Sequence, residues 1–419
     1  MKVASGLLAF VLMFSSQAYA RQTFEVDLQL EARVYTENAL QSEQKDASLS
    51  LAVTPEWYRD WQGGAHSITV TPFARVDSAD DERTHGDIRE LHWQGVLGQW
   101  EILVGISRVF WGRTELLHLV DTINQDDALE NLDGEDKLGQ PMLRINYVAD
   151  NGSSTRLFVL PYFRERAFPG EEGRLRPPLP VDDNDPLYQS GAEEKHVDWA
   201  LRHQGWVGAL DYGVAWFSGN QRDPKLVPGS VVPVMTPVGP RLQVQSLRPF
   251  YGLMDQFSVD AQYTAGDWLF KLEALWRDEF NSVATALNPA IERRDDYSAA
   301  SLGFERTFYG VSGNASDIGV LAEYLWDERG DEGSGFQNDL FVGARWAAND
   351  VAGTALLAGV VVDLEEYSQF YSVEFSRRIG SASKLSVEAR AFHDVPPEDR
   401  SFFLVRRDGY LQLEYNLYF

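Results

Sequence analysis

Leu411-Gln412-Leu413-Glu414-Tyr415-Asn416-Leu417-Tyr418-Phe419 closes the sequence, and its reading decides the fold. Leu411, Leu413, Tyr415, Leu417 and Phe419 are apolar or aromatic, and Gln412, Glu414, Asn416 and Tyr418 fall between them. Side chains of a β-strand alternate between two faces, so this spacing predicts a strand with one apolar and one polar side. The first segment past residue 20 repeats the pattern. Phe24, Val26, Leu28, Leu30, Ala32 and Val34 share one face, and Glu25, Asp27, Gln29, Glu31 and Arg33 share the other. A charged side chain facing lipid near the bilayer midplane costs up to roughly 2–4 kcal/mol. If such strands meet a membrane, their charged face must turn to an enclosed interior.

A terminal strand of this kind, ending on an aromatic, resembles the assembly signal of Gram-negative outer-membrane β-barrels. The resemblance implies an all-β fold: a transmembrane antiparallel up-and-down barrel in the cell outer membrane. Tyr415, Leu417 and Phe419 would then be read by the barrel-assembly machinery. The N-terminus agrees. Lys2, the apolar run Gly6 to Phe14 and the small-x-small triplet Ala18-Tyr19-Ala20 predict a signal peptide over 1–20, leaving 21–419 as one barrel. There is no cysteine, hence neither a disulfide framework nor a lipidation site after the signal. Beyond the signal, no run of about 18 apolar residues predicts a spanning helix. Aromatics make up 12% of the chain, which suits two interfacial girdles. A secreted β-sandwich or propeller is the competing reading.

The net charge is −26, from 37 basic and 63 acidic residues, the opposite sign to a nucleic-acid binder. The acids gather in expected loops: Asp77 to Glu82, Asp126 to Asp136, and Glu193 with Glu194. They form a solvated face, or they bridge through divalent cations to lipopolysaccharide phosphates, or they set a cation-favouring field at a pore mouth. Outer-membrane lipid and lipopolysaccharide are thus the expected surroundings, with a small solute as the expected cargo.

Alternation and turn signals predict 18 strands, near 23–36, 46–57, 66–76, 87–96, 100–110, 139–149, 154–164, 194–204, 208–218, 255–264, 268–277, 297–308, 317–327, 338–348, 354–364, 369–379, 384–393 and 409–419. Counts of 16 or 20 remain open. With both termini periplasmic the number must be even, and the long connections 111–138, 165–193, 219–254, 278–296 and 394–408 all lie outside. Residues 241–252 are assigned to a loop, because Pro249 cannot donate a ladder hydrogen bond.

Parity along these strands turns charges of both signs inward. Arg33, Arg75, Glu101, Arg144, Lys271, Glu273, Arg277, Glu323, Arg345, Glu388 and Arg390 are candidate pore-lining residues. So are Glu25, Asp27, Glu31, Glu305, Glu374 and Glu414 as members of the same polar wall. They either pair with one another across strands or line a path that selects by sign and size. The segment 107–128 is the best candidate for a functional element. It is apolar enough to pack, it has helical spacing at Leu116, Leu119, Val120 and Ile123, and it brings Arg108, Arg113 and Asp121 as constriction candidates. An insert folding into the pore from here, with 111–138 as the expected constriction, resembles the constriction loop of porins.

Trp111-Gly112-Arg113, followed by Asp121 and Asn124, resembles a motif of poorly characterised barrels related to alginate-export and porin-like families. Asp260-Ala261-Gln262-Tyr263, Trp268 to Leu275, Leu321 to Leu325 and Phe336 to Phe341 resemble a proteobacterial outer-membrane family without an assigned substrate. The resemblance implies a barrel and no specific activity. Alginate exporters are expected to show a strongly basic lumen, and the mixed signs here do not support alginate. In loop 165–193, Arg166, Arg174 and Arg176 sit near Pro177, Pro178 and Pro180. The loop either folds over the mouth or stands exposed and stiffened by proline.

No nucleophile motif accompanies the seven histidines His66, His85, His92, His118, His196, His203 and His393, so no enzyme is expected. Asn131-Leu132-Asp133-Gly134-Glu135 lacks the rest of a calcium loop, and neither metal nor cofactor is expected. The expected function is a channel for small hydrophilic or charged solutes. The alternatives are a non-conducting structural or export barrel with a loop-sealed lumen and, behind it, an interfacial hydrolase.

Overall fold

The computed structural model describes residues 20–131, 133–237, 239–282, 292–313, 315–330 and 335–419. The expected signal peptide, apart from Ala20, lies outside the described residues. Eighteen antiparallel strands form one closed sheet. They are β1 (Gln22–Tyr35), β2 (Ala47–Trp61), β3 (His66–Asp77), β4 (Gly86–Leu97), β5 (Trp100–Ser107), β6 (Gln140–Val148), β7 (Ser154–Leu160), β8 (Asp198–Val207) and β9 (Leu210–Asn220). Then come β10 (Leu253–Ala265), β11 (Trp268–Ser282), β12 (Glu292–Phe308), β13 (Asp317–Asp327), β14 (Asn338–Ala347), β15 (Ala355–Asp363), β16 (Gln369–Arg378), β17 (Ser383–His393) and β18 (Tyr410–Tyr418).

The last strand closes the barrel. β18 lies along β1 with Tyr410 opposite Tyr35 and Tyr418 opposite Asp27. Phe419 exchanges two backbone hydrogen bonds with Val26. Leu411 and Leu413 stand exposed on the outer face, whereas Gln412 and Asn416 are buried on the inner one. The alternation read from sequence therefore has the expected sides. Outward tryptophans form two belts. Trp100 and Trp346 lie beside short turns, and Trp199, Trp276 and Trp326 lie toward the long connections.

Several boundaries differ from those read in the sequence. β5 stops at Ser107 instead of 110 and β7 at Leu160 instead of 164; β8 begins at Asp198 instead of 194. Both ends of the expected loop 278–296 are ladder, and its middle, 283–291, lies outside the described residues: β11 runs to Ser282 and β12 starts at Glu292, with Asp278 opposite Asp296. Apolar alternation reports the thickness of the membrane, and past Trp276 charged residues stand on both faces, Arg277 and Glu279 on one and Asp278 on the other, while the ladder continues. Residues 241–252 stay out of the barrel, as Pro249 implied. They are nonetheless ordered, since Gly239–Val244 and Leu247–Tyr251 are strands of two small loop sheets.

Candidate functional site: a folded insert across the lumen

After Ser107 the chain turns into the barrel and returns at Gln140, where β6 begins. This insert is not the helix that its spacing suggested. Apart from an isolated bridge between Asp126 and Lys137, its described residues, 108–131 and 133–139, are bends, turns and irregular chain, and the four spaced apolar residues reach three different parts of the wall. Val120 and Ile123, fully buried with Trp111, pack on inward side chains of β5 to β10, among them Leu103, Phe158 and Phe217. Leu119 packs on Leu275, Tyr297 and Ala299 of β11 and β12. Leu116 packs on Leu321, Phe341 and Val361 of β13 to β15. Burying each such side chain contributes about 1.5–3 kcal/mol. The insert thus crosses the lumen, with apolar feet on more than half of its circumference.

An irregular segment inside a barrel must find partners for its backbone. Two wall carboxylates supply them. Glu273 of β11 accepts from the backbone N–H of Arg113, Thr114 (3.0 Å) and Val120 (3.3 Å), and from the Thr114 hydroxyl (2.8 Å). Glu323 of β13 accepts from the N–H of Glu115 at 2.7 Å and Leu116 at 3.1 Å. These amides are aimed at the wall, which is why they do not close helical turns. Gly112 permits the entry: its φ is +153°, and a Cβ there would come within 2.4 Å of the His118 ring. Asn124 closes the base, donating to the carbonyls of Ser107 (3.0 Å) and Leu138 (2.8 Å) and accepting from Val109 N–H.

The far end of the insert is held by side chains. Arg75 of β3 donates to both carboxylate oxygens of Glu130 and, at 3.1 Å, to Glu31 of β1. Arg83 adds two bonds to Glu31 and one to Asp77. Arg33 donates to Gln412 at 2.7 Å, tying β1 to β18. Arg89 donates to Asp127 at 2.6 Å. His85, Asp127 and Glu130 could each turn one metal-ligating atom to a common centre, all within 4.8 Å of one another. Arg75 and Arg89 already neutralise the two carboxylates, so the group reads as an ion-pair network. Periodicity in the sequence flagged Arg33 and Arg75. It missed Arg83, Arg89, Asp127 and Glu130, which lie off the alternating runs or in the insert.

His118 and Asp121 are among the groups of the insert that titrate away from their ordinary values. Burial lifts the Asp121 carboxyl to about 6 against the pull of Lys137, whose Nζ lies 3.3 Å away. Burial alone would lower the His118 imidazole. Glu135, 3.2 Å from its Nε2, and Glu273, 3.8 Å from its Nδ1, outweigh that and lift it to about 9. A histidine raised above its ordinary value near 6.5 contributes stability that is complete below that value and lost as pH rises through the folded one. The insert should therefore become more protease-sensitive as pH passes about 9. Limited proteolysis in detergent would show the step, and His118→Gln should remove it.

Loop 165–193 also departs from the exposed, proline-stiffened reading. Arg174 and Arg176 are buried. Arg174 crosses to Asp408 at 2.7 Å and Asp46 at 2.8 Å, beside β18 and β2. Gly170 N–H donates to Asp80, and Arg166 pairs with Asp126 of the insert and with Asp223. Asp77 and Asp80, expected in a solvated acidic face, are buried in these contacts. Arg222, which the sequence did not single out, donates to Asp198 at 2.9 Å and to the Ile123 carbonyl. The loop roofs the mouth above the insert.

The remaining expected residues fall as follows. Glu115 of the insert takes Arg345 of β14 at 2.5 Å and Lys271 of β11 at 3.4 Å. Arg113 donates to Asp260 of β10 at 3.1 Å. Arg390 joins Glu388, Glu374 and, at 3.9 Å, Asp133 of the insert. Arg277 donates to Gln256, and Arg108 lies 3.5 Å from Glu90. Glu101 and Arg144 face the interior from β5 and β6, where Asn146 donates to Glu101. Arg33, Arg75, Glu273 and Glu323 are inward but covered by the insert. By contrast, the side chains of Arg345, Glu374 and Glu135 are 42%, 47% and 58% exposed.

Among the described residues, no serine hydroxyl bonds a histidine. His203 meets the Thr155 hydroxyl at 2.9 Å, and His196 meets Asp198 at 2.9 Å.

Among solved structures the barrel is similar to a BenF-like porin from Pseudomonas fluorescens Pf-5, with TM-score 0.51 and 10% identity over 96% of this chain and 98% of that one. It is also similar to OprB of Pseudomonas putida at high pH, with TM-score 0.45, 11% identity and 95% and 94% coverage. OmpT, an outer membrane protein of Vibrio cholerae, matches with TM-score 0.45, 10% identity and 96% and 98% coverage. No family model and no curated protein matches the sequence. At 10% identity, the first of these similarities establishes the fold, a porin-like outer-membrane barrel, and nothing finer.

Proposed function

We propose that this protein is an outer-membrane channel for small hydrophilic or charged solutes, and that the insert 108–139 forms its constriction. One observation carries the reading. Beside an insert that is otherwise packed and ion-paired, three charged side chains keep roughly half of their surface open to water. Arg345 of β14 and Glu374 of β16 face Leu357 of β15 from either side on one stretch of wall, and Glu135 stands on the insert. A side chain kept charged and wet inside a membrane-spanning wall marks a solute path more often than a structural contact. Selectivity would come from that mixed-sign strip, and no cofactor is needed for passive movement down a gradient. Purified protein in planar bilayers should give small discrete conductance steps. Arg345→Ala should shift the reversal potential toward cation preference. Bilayers that stay silent across salts would sink the proposal.

A second reading, a barrel sealed by its loops, is favoured by the buried Arg174 tie across the mouth. Under it, wild-type protein is silent and Arg174→Ala conducts.

A further inference from the structure

From Pro224 to Met254 the chain has no acidic residue, in a protein that carries 63 of them, and it has three cations, Lys225, Arg241 and Arg248. Its described residues form a β-ribbon between β9 and β10, on the long-loop side of the barrel. Its base is packed: Lys225–Pro228 pairs with residues of Leu247–Tyr251, and Val227, Phe250 and Tyr251 are buried. Bonds between Gly229 and Ser246 and between Ser230 and Gln245 carry the ribbon on into Val231–Thr236 paired with Gly239–Val244. Between Gly229 and Ser246 none of its described residues is buried.

The register sorts this arm into two faces. Val231 lies opposite Val244, Pro233 opposite Leu242 and Met235 opposite Pro240, so one face is wholly apolar. The other carries Gln243 and Arg241 opposite Val232 and Val234. Met235 is 83% exposed. Lys225 lies 3.8 Å from Glu279 and Arg248 pairs with Asp185, which leaves Arg241 as the unpaired cation of the arm among the described residues. A lone two-stranded ribbon is marginal in water, and an uncovered apolar face makes it more so.

The area and the charge identify what covers it. Six residues of two strands offer about 400 Å² on one face, against about 800 Å² per partner in a stable protein interface. A second copy is therefore poorly held by this face alone. A lipid surface has no such threshold, since an amphipathic element binds it by apolar burial plus attraction to anionic headgroups. We propose that the ribbon 229–246 is a membrane-surface anchor. It lays Val231, Pro233, Met235, Pro240, Leu242 and Val244 into the acyl boundary of the outer leaflet and places Arg241 on lipid phosphates. The arm spans about 26 Å at 3.3 Å per residue, enough to reach past the barrel wall.

The cysteine-free chain allows a clean test. An environment-sensitive dye is attached after Met235→Cys, Leu242→Cys or Gln243→Cys in the full-length protein. Each is reconstituted in phosphatidylcholine vesicles, in mixed phosphatidylcholine–phosphatidylglycerol vesicles, and in detergent. The dyes at 235 and 242 should shift to the blue and be quenched by acyl-chain nitroxides, most in the anionic vesicles, while the dye at 243 stays water-exposed. Arg241→Gln should reduce the anionic excess to the level of phosphatidylcholine alone. Water-like emission at 235 and 242 in both vesicles overturns the anchor. So does a blue shift in detergent that grows with protein concentration, which would assign the face to a second copy. An unchanged shift after Arg241→Gln overturns the phosphate contact. None of these outcomes depends on whether the barrel conducts.

Discussion

Glu273→Ala is expected to release the near half of the insert and raise single-channel conductance several-fold. This one carboxylate receives three backbone amides and one hydroxyl from residues 113–120, and its own side chain is fully buried. A hydrogen bond to a charged group is worth roughly 1.5–3 kcal/mol, and an orphaned buried amide costs a further penalty. Losing even two of the four, about 3 kcal/mol, raises the population of detached insert roughly a hundredfold. The released amides must find water, so residues 113–120 move into the open lumen and cannot stay on the wall. Protease cleavage within 113–120 should rise in parallel, which reads out release even if the channel is silent. Glu305→Ala is the control: it changes an inward carboxylate on neighbouring β12 that makes no bond to the described residues of the insert, and it should leave both readouts unchanged.

The two halves of this molecule differ in how far the sequence discloses them. All eighteen strands were legible, because a wall with lipid on one side and polar groups on the other forces a two-residue period on every strand. The inward parity of Arg33, Arg75, Glu273, Glu323 and Arg345 followed from the same period. The insert was legible as a place, through its apolar content and its position after β5, but its conformation was not. Leu116, Leu119, Val120 and Ile123 have helical spacing, yet the amides of Leu116 and Val120 bond Glu323 and Glu273, more than 150 residues away in sequence. No local pattern encodes a partner at that distance. The roof is the same case. Arg174 and Asp408 lie 234 residues apart, and neither stands in an alternating run. Strand ends were misplaced where the ladder outlasts the membrane, as in β11 and β12, since alternation ends at the interface while hydrogen bonding does not.

Arg75→Met should detach the opposite end of the insert while leaving the barrel closed. Arg75 is 2% exposed and bonds Glu130, Glu31, Ser50 and Gln29. Removing one partner from a buried charge cluster costs about 3–5 kcal/mol, because the remaining charges lose compensation without regaining water. The two carboxylates are not equally stranded. Among the described residues, Glu31 keeps Arg83 at 2.8 Å, whereas Glu130 keeps only His85 at 3.7 Å among its ion pairs. The cheaper response is therefore local. Residues 126–131 swing away and hydrate Glu130, since the β1–β2–β3 ladder continues through backbone bonds that Arg75 does not make. Cleavage in 126–131 should rise a hundredfold or more by that energy, while the temperature of the heat-modifiable gel shift moves far less. Adding Glu130→Gln should recover most of the protection, because the stranded charge is then gone. If the gel shift instead falls as steeply as protection does, Arg75 holds the barrel rather than the insert, and the division between a rigid wall and a detachable constriction fails.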